Sequence, residues 1–204
     1  MKSIVTITKK ICAELSNQDK VLSAVIEKYG ELDYTIDSNY FESLLSTIIG
    51  QQLASKVADK IWSRFLDLFP NEITLEGVLN LSNDALLGVG LSRNKALYIK
   101  TIASSIVEGR LTLDKFDEMD DLEIKKQLVS IKGIGEWTAE MFLIFSMGRV
   151  DVFSCGDGGL SRAISKFYND GKALTQLEKI EISKNWMPYR SIASLYLWKS
   201  LENK

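Results

Sequence analysis

Histidine is missing from this chain of 204 residues. That absence excludes His-based acid–base chemistry, Ser-His-Asp triads and most zinc sites. Cysteine is scarce: Cys12 and Cys155 are too few for a disulfide framework or a four-cysteine iron–sulfur cluster, and they fit a reducing compartment. Only two prolines occur, so the backbone is seldom denied a helical hydrogen bond. No run of 18 apolar residues is present, so no membrane-spanning helix is expected. Lys2, Lys9 and Lys10 interrupt the apolar N-terminus, so no signal-peptide core is expected either. The expected location is the cytoplasm. Any catalysis must rest on carboxylates, lysines, tyrosines or hydroxyls.

What is present favours helices around a sizeable core. Hydrophobic residues make up 46% of the chain, and Leu, Ile, Lys, Glu and Ala are abundant. The length suits one large domain or two small ones. The net charge of −2 argues mildly against a nucleic-acid partner, because duplex affinity leans on Lys and Arg meeting phosphates. A local basic face can hide within such a total. Lys56, Lys60, Arg93, Lys95, Lys132 and Arg162 are candidates for one, and each also reads as ordinary solvated helix surface.

The pattern predicts a helix ending at Gly30, a second over 39–49, a turn at 50–55 and a third over 56–69. Short helices are expected at 75–81 and 83–87. Ser92 should cap a long helix whose Ala96, Ile99, Ile102, Ala103, Ile106 and Val107 share one face, with Gly109 as its stop. Asp120 should cap 121–130, and three more helices are expected near 160–168, 174–185 and 189–201. No strand pair is expected, although 1–8 has room for a short strand.

Two segments carry chemistry. In 128–142, two helical patterns flank Gly133-Ile-Gly135. Glycine lets a backbone turn tightly and approach another surface, and the amides opening the second helix suit an anion such as a phosphate. Beyond it lies Asp157, in Asp151-Val-Phe-Ser-Cys-Gly-Asp157 and just before a helical run. Aspartate is a preferred helix cap, so Asp157 has a structural reading beside the catalytic one.

Hairpin and aspartate together resemble the helix-hairpin-helix superfamily of DNA glycosylases, nearest the 3-methyladenine DNA glycosylase II branch. The resemblance runs over 20–201. Its matching segments are 40–52, 90–96, the hairpin, the aspartate loop and 186–198. It implies an all-α fold of two helical subdomains with a cleft between them: 40–149 with the hairpin, and 1–39 plus 150–204 with the aspartate. The expected form is the compact helical one, without the N-terminal sheet domain of enterobacterial members. The implied activity is flipping of alkylated purines, 3-methyladenine and 7-methylguanine, from double-stranded DNA and hydrolysis of the N-glycosidic bond in base excision repair. The protein is expected to act as a monomer with no required cofactor.

Asp157 is then the catalytic residue, stabilising positive charge on the sugar and orienting water. Trp137 stands where lyase-active members carry a lysine. An indole cannot form a Schiff base, so a monofunctional hydrolase is implied. Trp137 and Trp198 are base-pocket candidates, with Tyr40, Phe41 and Met141 behind them; ordinary core packing is the alternative for both tryptophans. DNA contact falls to Lys132, Gly133, Ile134, Gly135 and Thr138, and to the turn carrying Gln52, the favoured wedge, and Leu53. A sodium or potassium ion would sit on the backbone carbonyls of Val129, Ile131 and Ile134. The family often has proline where this chain has Ser154, which predicts a looser loop before Asp157. Cys155 reads as a small buried residue, or as a reactive thiol. A non-catalytic DNA-structure binder that kept the hairpin is the rival reading. A glycosylase for oxidised bases would call for a lysine at position 137 and, in one branch, a cysteine cluster.

Overall fold

A computed structural model describes residues 2–202. In chain order the elements are strand β1 (Lys2–Thr6), helices α1 (Lys9–Gln18) and α2 (Lys20–Tyr29), and strand β2 (Asp33–Asp37). Next come α3 (Tyr40–Gly50), α4 (Ser55–Leu66), α5 (Leu75–Asn80), α6 (Asn83–Gly88) and α7 (Arg93–Val107). A 3₁₀ turn (Leu113–Glu118) leads to α8 (Asp121–Ser130), α9 (Glu136–Phe145), α10 (Gly158–Tyr168), α11 (Gln176–Lys184) and α12 (Arg190–Lys199). The chain divides into two compact units, Met1–Ser38 with Leu143–Lys204, and Asn39–Phe142.

The helix boundaries follow side-chain chemistry. Asp19, Asn39, Thr74, Ser82, Ser92, Asp120, Asp157 and Thr175 each accept an amide of the first turn of the helix they precede. These acceptors satisfy donors that the helix itself leaves unpaired. Asp120 and Thr175 form full capping boxes with Glu123 and Glu178.

In the Asn39–Phe142 unit, α7 packs against α3, α5 and α6. Its buried face carries Ala96, Ile99, Ile102, Ala103 and Ser105. Ile106 is only half-buried and Val107 is exposed, so the apolar stripe expected from sequence ends one turn early. In the other unit, α2 and α10 both pack on α12. Leu22, Val25, Leu160, Ile164, Trp186, Ile192, Tyr196 and Leu197 build its core.

The expectation of no strand pair is corrected. β1 and β2 form a two-stranded antiparallel ribbon with Lys2 opposite Asp37 and Thr6 opposite Asp33. β1 shows no alternation and its Ile4 faces outward, whereas Asp33–Ile36 of β2 do alternate between exposed and half-buried, a period-2 signal too short to mark a strand by itself. The ribbon is anchored beyond its end, where buried Ile7 donates its amide to Leu32 O at 3.0 Å. Helix α1 was also not anticipated, because its lysines obscured the period. The architecture remains predominantly helical.

Candidate active site and nucleic-acid interface

The aspartate loop is tied at three points. Arg190 forms a two-pronged ion pair with Asp151: Nε to Oδ1 at 2.8 Å and Nη2 to Oδ2 at 2.9 Å. Ser191 Oγ accepts the Val152 amide at 2.9 Å and reaches back to the Val152 carbonyl at 3.2 Å. Lys179 Nζ donates to Cys155 O at 3.1 Å and to Ser161 Oγ at 2.9 Å. Ser154 is fully buried, and its carbonyl accepts the Asp157 amide at 3.0 Å. Side chains from α11 and α12 therefore supply restraint that a proline would have supplied through its ring. The looser loop expected from Ser154 is corrected on that ground. Cys155 is half-buried, with Sγ 3.7 Å from Gln176 O.

Asp157 caps α10. Its Oδ1 accepts the Leu160 amide at 2.6 Å and the Trp198 indole N–H at 2.8 Å. Two donors on one oxygen fix the direction of the carboxylate, and bonds to a charged acceptor are the stronger kind. The cap reading and the catalytic reading are thus one geometry: the cap holds the carboxylate at the positive pole of a helix. Trp198 is brought to Asp157 as a donor. Its ring also lies 5.9 Å from that of Phe145 and lines a cavity of about 300 Å³ with Leu32, Tyr34 and Leu195. Gly159 keeps this corner uncrowded, because a Cβ would come within 3.2 Å of Asp157 Oδ1 and 3.4 Å of the Trp198 ring.

The hairpin lies in the other unit. Gly133 has φ +100°, and a Cβ there would fall 2.3 Å from the Tyr98 ring. Gly135 has open space around its would-be Cβ and an ordinary φ, so only the first glycine is demanded by the fold. Ile134 is 4% exposed, and its side chain anchors the hairpin in the interior. Thr138 is also 4% exposed. Its hydroxyl accepts from Gln51 Nε2 at 3.4 Å, and the same amide donates to Gly133 O at 3.0 Å. The side chains of Ile134 and Thr138 support the hairpin from within. Lys132 is exposed.

Gln51 links this hairpin to the turn after α3. Lys95 Nζ closes the same turn, donating to Ile49 O and Gln51 O at 2.8 Å each. Partial burial lowers its pKa from the ordinary lysine value. Lys95 is thereby corrected from a solvated basic residue to a helix-end brace. Gln52 is exposed with φ +57°, a conformation rare for residues with a Cβ, and Leu53 beside it is 37% exposed. Strain of that kind gathers at functional sites. Lys56, Lys60 and Arg93 are exposed in this unit, and Arg162 is exposed in the other.

Trp137, in the first turn of α9, is 44% exposed, so core packing does not account for the whole indole. Met141 is half-buried one turn on. The Tyr40 ring packs edge-on to Phe142 at 5.5 Å, and its hydroxyl donates to Asp117 at 2.6 Å. Lys125 of α8 pairs with Glu136 and, at 2.8 Å, with Glu140 of α9, clamping the two helices of the hairpin.

A monovalent cation at the hairpin would be held by the backbone carbonyls of Val129, Ile131 and Ile134. The last carbonyls of α8 lie at the negative pole of that helix, where intrahelical donors run out. Val129 belongs to this turn. Ile131 O accepts the Ile134 amide at 3.0 Å, which leaves a second lone pair.

Arg190, Ser191, Lys179, Gln51, Lys95 and Tyr98 were not singled out for these positions. Their partners lie far off in the chain, and a buried lysine in an amphipathic helix looks like a solvated one. Only covariation across relatives could have flagged them.

Residues 45–188 match the HhH-GPD superfamily of base excision DNA repair proteins. The chain belongs to that superfamily. It is 31% identical over 163 residues to DNA-3-methyladenine glycosylase 1 of Schizosaccharomyces pombe, covering 78% of this chain and 72% of that one. It spans 66% of the length of two Bacillus subtilis relatives that it matches at 32% and 28% identity. Among solved structures, a DNA-3-methyladenine glycosidase from Bacillus halodurans matches with a TM-score of 0.88 and 35% identity, over 97% of this chain and 92% of that one. The S. pombe 3-methyladenine DNA glycosylase in complex with abasic DNA matches with a TM-score of 0.84 and 27% identity, over 94% and 96%.

Proposed function

We propose that this protein is a monofunctional DNA glycosylase that extrudes alkylated purines, 3-methyladenine and 7-methylguanine, from duplex DNA and hydrolyses their N-glycosidic bond. The observation that carries the reading is the Asp157 carboxylate, fixed by the Leu160 amide and the Trp198 indole N–H within an HhH-GPD chain. The names and DNA complex of the relatives support the choice of substrate.

Each step asks little of the residues. The hairpin presents backbone amides to phosphate and binds without reading sequence. Gln52, with Leu53 beside it, fills the gap left by the flipped nucleotide. The exposed indole of Trp137 stacks on the alkylated base, whose positive charge is drawn to an electron-rich ring by about 1–2 kcal/mol. Alkylation at N3 or N7 has already made that base a good leaving group, so no strong acid is needed to expel it. As the bond breaks, the Asp157 carboxylate stabilises positive charge on the sugar and orients or deprotonates the attacking water. The indole at position 137 offers no amine, so the product is an intact abasic strand. A sodium or potassium ion on the carbonyls of Val129, Ile131 and Ile134 would stiffen the hairpin against phosphate. The protein is proposed to work as a monomer.

The test is base release from alkylated DNA, with the released base identified, by the wild type and by Asp157→Asn. Release of 3-methyladenine or 7-methylguanine that depends on Asp157 supports the reading. DNA binding with no base release by the wild type would leave the non-catalytic alternative standing.

A further inference from the structure

Lys179 occupies a place that lysines avoid. It lies in the middle of α11 and is 8% exposed. An ammonium withdrawn from water needs strong compensation. Its two acceptors, the carbonyl of Cys155 and the hydroxyl of Ser161, are both neutral. The amides opening α10 form a positive pole, itself a poor neighbour for a cation. The anionic group at that pole is Asp157, which caps the helix.

The two acceptors are also informative by position. Cys155 precedes Asp157 by two residues and Ser161 follows it by four, one helical turn on. A single ammonium therefore joins the loop entering Asp157 to the helix leaving it. Ser154 stands immediately before this segment, where the backbone has no proline ring to restrain it.

We infer that Lys179 is a positioning residue for Asp157: its ammonium staples the aspartate loop to the first turn of α10 and so sets the direction of the carboxylate. The inference rests on the glycosylase reading for its catalytic consequence, but not for its geometry. Lys179 touches no reacting atom; it acts through the backbone on both sides of Asp157.

The test compares wild type with Lys179→Met, which keeps the length of the side chain and removes the donors. Three quantities are measured: the single-turnover rate of alkylpurine release, the Kd for an abasic-site duplex, and hydrogen exchange at the Leu160 amide. That amide is bonded to Asp157 Oδ1 and reports the cap directly. The Leu197 amide of α12 serves as the reference. Release should slow about tenfold, since small misplacements of a catalytic group are costly. Kd should stay within about twofold, and Leu160 exchange should speed up about tenfold with Leu197 unchanged. Purely structural damage would move Leu197 as well and lower the active fraction rather than the rate. A folded Lys179→Met with wild-type release and wild-type Leu160 protection overturns the inference. If that variant does not fold, Ser161→Ala decides: it cuts one end of the staple, and unchanged Leu160 exchange overturns the inference equally. A wild type that releases no alkylpurine refutes the glycosylase reading alone, and the exchange measurement still decides the staple.

Discussion

In the proposed reaction Asp157 serves two ends. As a cap it satisfies the Leu160 amide; as a fixed carboxylate it is available to a developing cation. Asp157→Asn keeps the shape and removes the charge. We expect base release to fall by about 100-fold or more, roughly 3 kcal/mol of transition-state stabilisation, with abasic-DNA binding retained. Turnover near wild type would sink the assignment. Trp198→Phe tests the second donor, since phenylalanine keeps an aromatic ring and loses the N–H. A bond to a charged acceptor is worth about 1.5 kcal/mol or more, so release should slow by about tenfold. If release is unchanged, the indole contributes only its ring to the cavity it lines.

At the scale of the element, the hairpin shows that two glycines in one motif can have different reasons. Gly133 is demanded by the close approach of Tyr98 and by its positive φ, whereas Gly135 stands against open space. Gly133→Ala should lower stability by about 2 kcal/mol or more, seen as a drop in Tm, because it combines overpacking with backbone strain. Gly135→Val should melt like wild type and yet bind every duplex more weakly, whatever its sequence, because the lost contact is to phosphate. Equal Tm losses in the two variants, or a binding loss confined to one DNA sequence, would contradict this division.

At the scale of the whole molecule, the proposed outcome of the reaction, an intact abasic strand, turns on the absence of an amine at position 137. Borohydride should leave this protein untrapped on alkylated or abasic DNA, as judged by a shift of the DNA band in a denaturing gel. Efficient trapping would mean that a lysine, with exposed Lys132 the first to test, serves as nucleophile. The unit carrying Asp157 also depends on a buried hub remote from the chemistry. Asp19 accepts from the Val21 and Leu22 amides, from the Tyr168 hydroxyl at 2.7 Å and from the Trp186 indole at 2.8 Å. Burial is the largest influence on Tyr168, followed by its bond to Asp19, and together they push its phenol far above the ordinary range. Asp19→Ala would leave buried donors unpaired and should cost about 3 kcal/mol or more, read from denaturant midpoints.

The sequence alone determined the helical class, most helix starts, the hairpin and the cap at Asp157. These are local signals: a cap is written within four residues and a glycine turn within three, so they survive without knowledge of the fold. The missing histidine narrowed the chemistry by composition unaided, whereas the tryptophan at 137 is informative only through the resemblance to the glycosylase superfamily. The tertiary structure alone decided what holds those parts in place. Gln51 reaches Gly133, Lys179 bridges Cys155 and Ser161, and Trp198 meets Asp157, across separations that carry no periodic trace. It also decided the β1–β2 ribbon, since β1 has no alternation and that of β2 spans only a few residues, so pairing specifies the strands. The physical reason is common to both cases. Hydrogen bonds between residues distant in sequence depend on where packing brings the backbone, and packing is a property of the whole core.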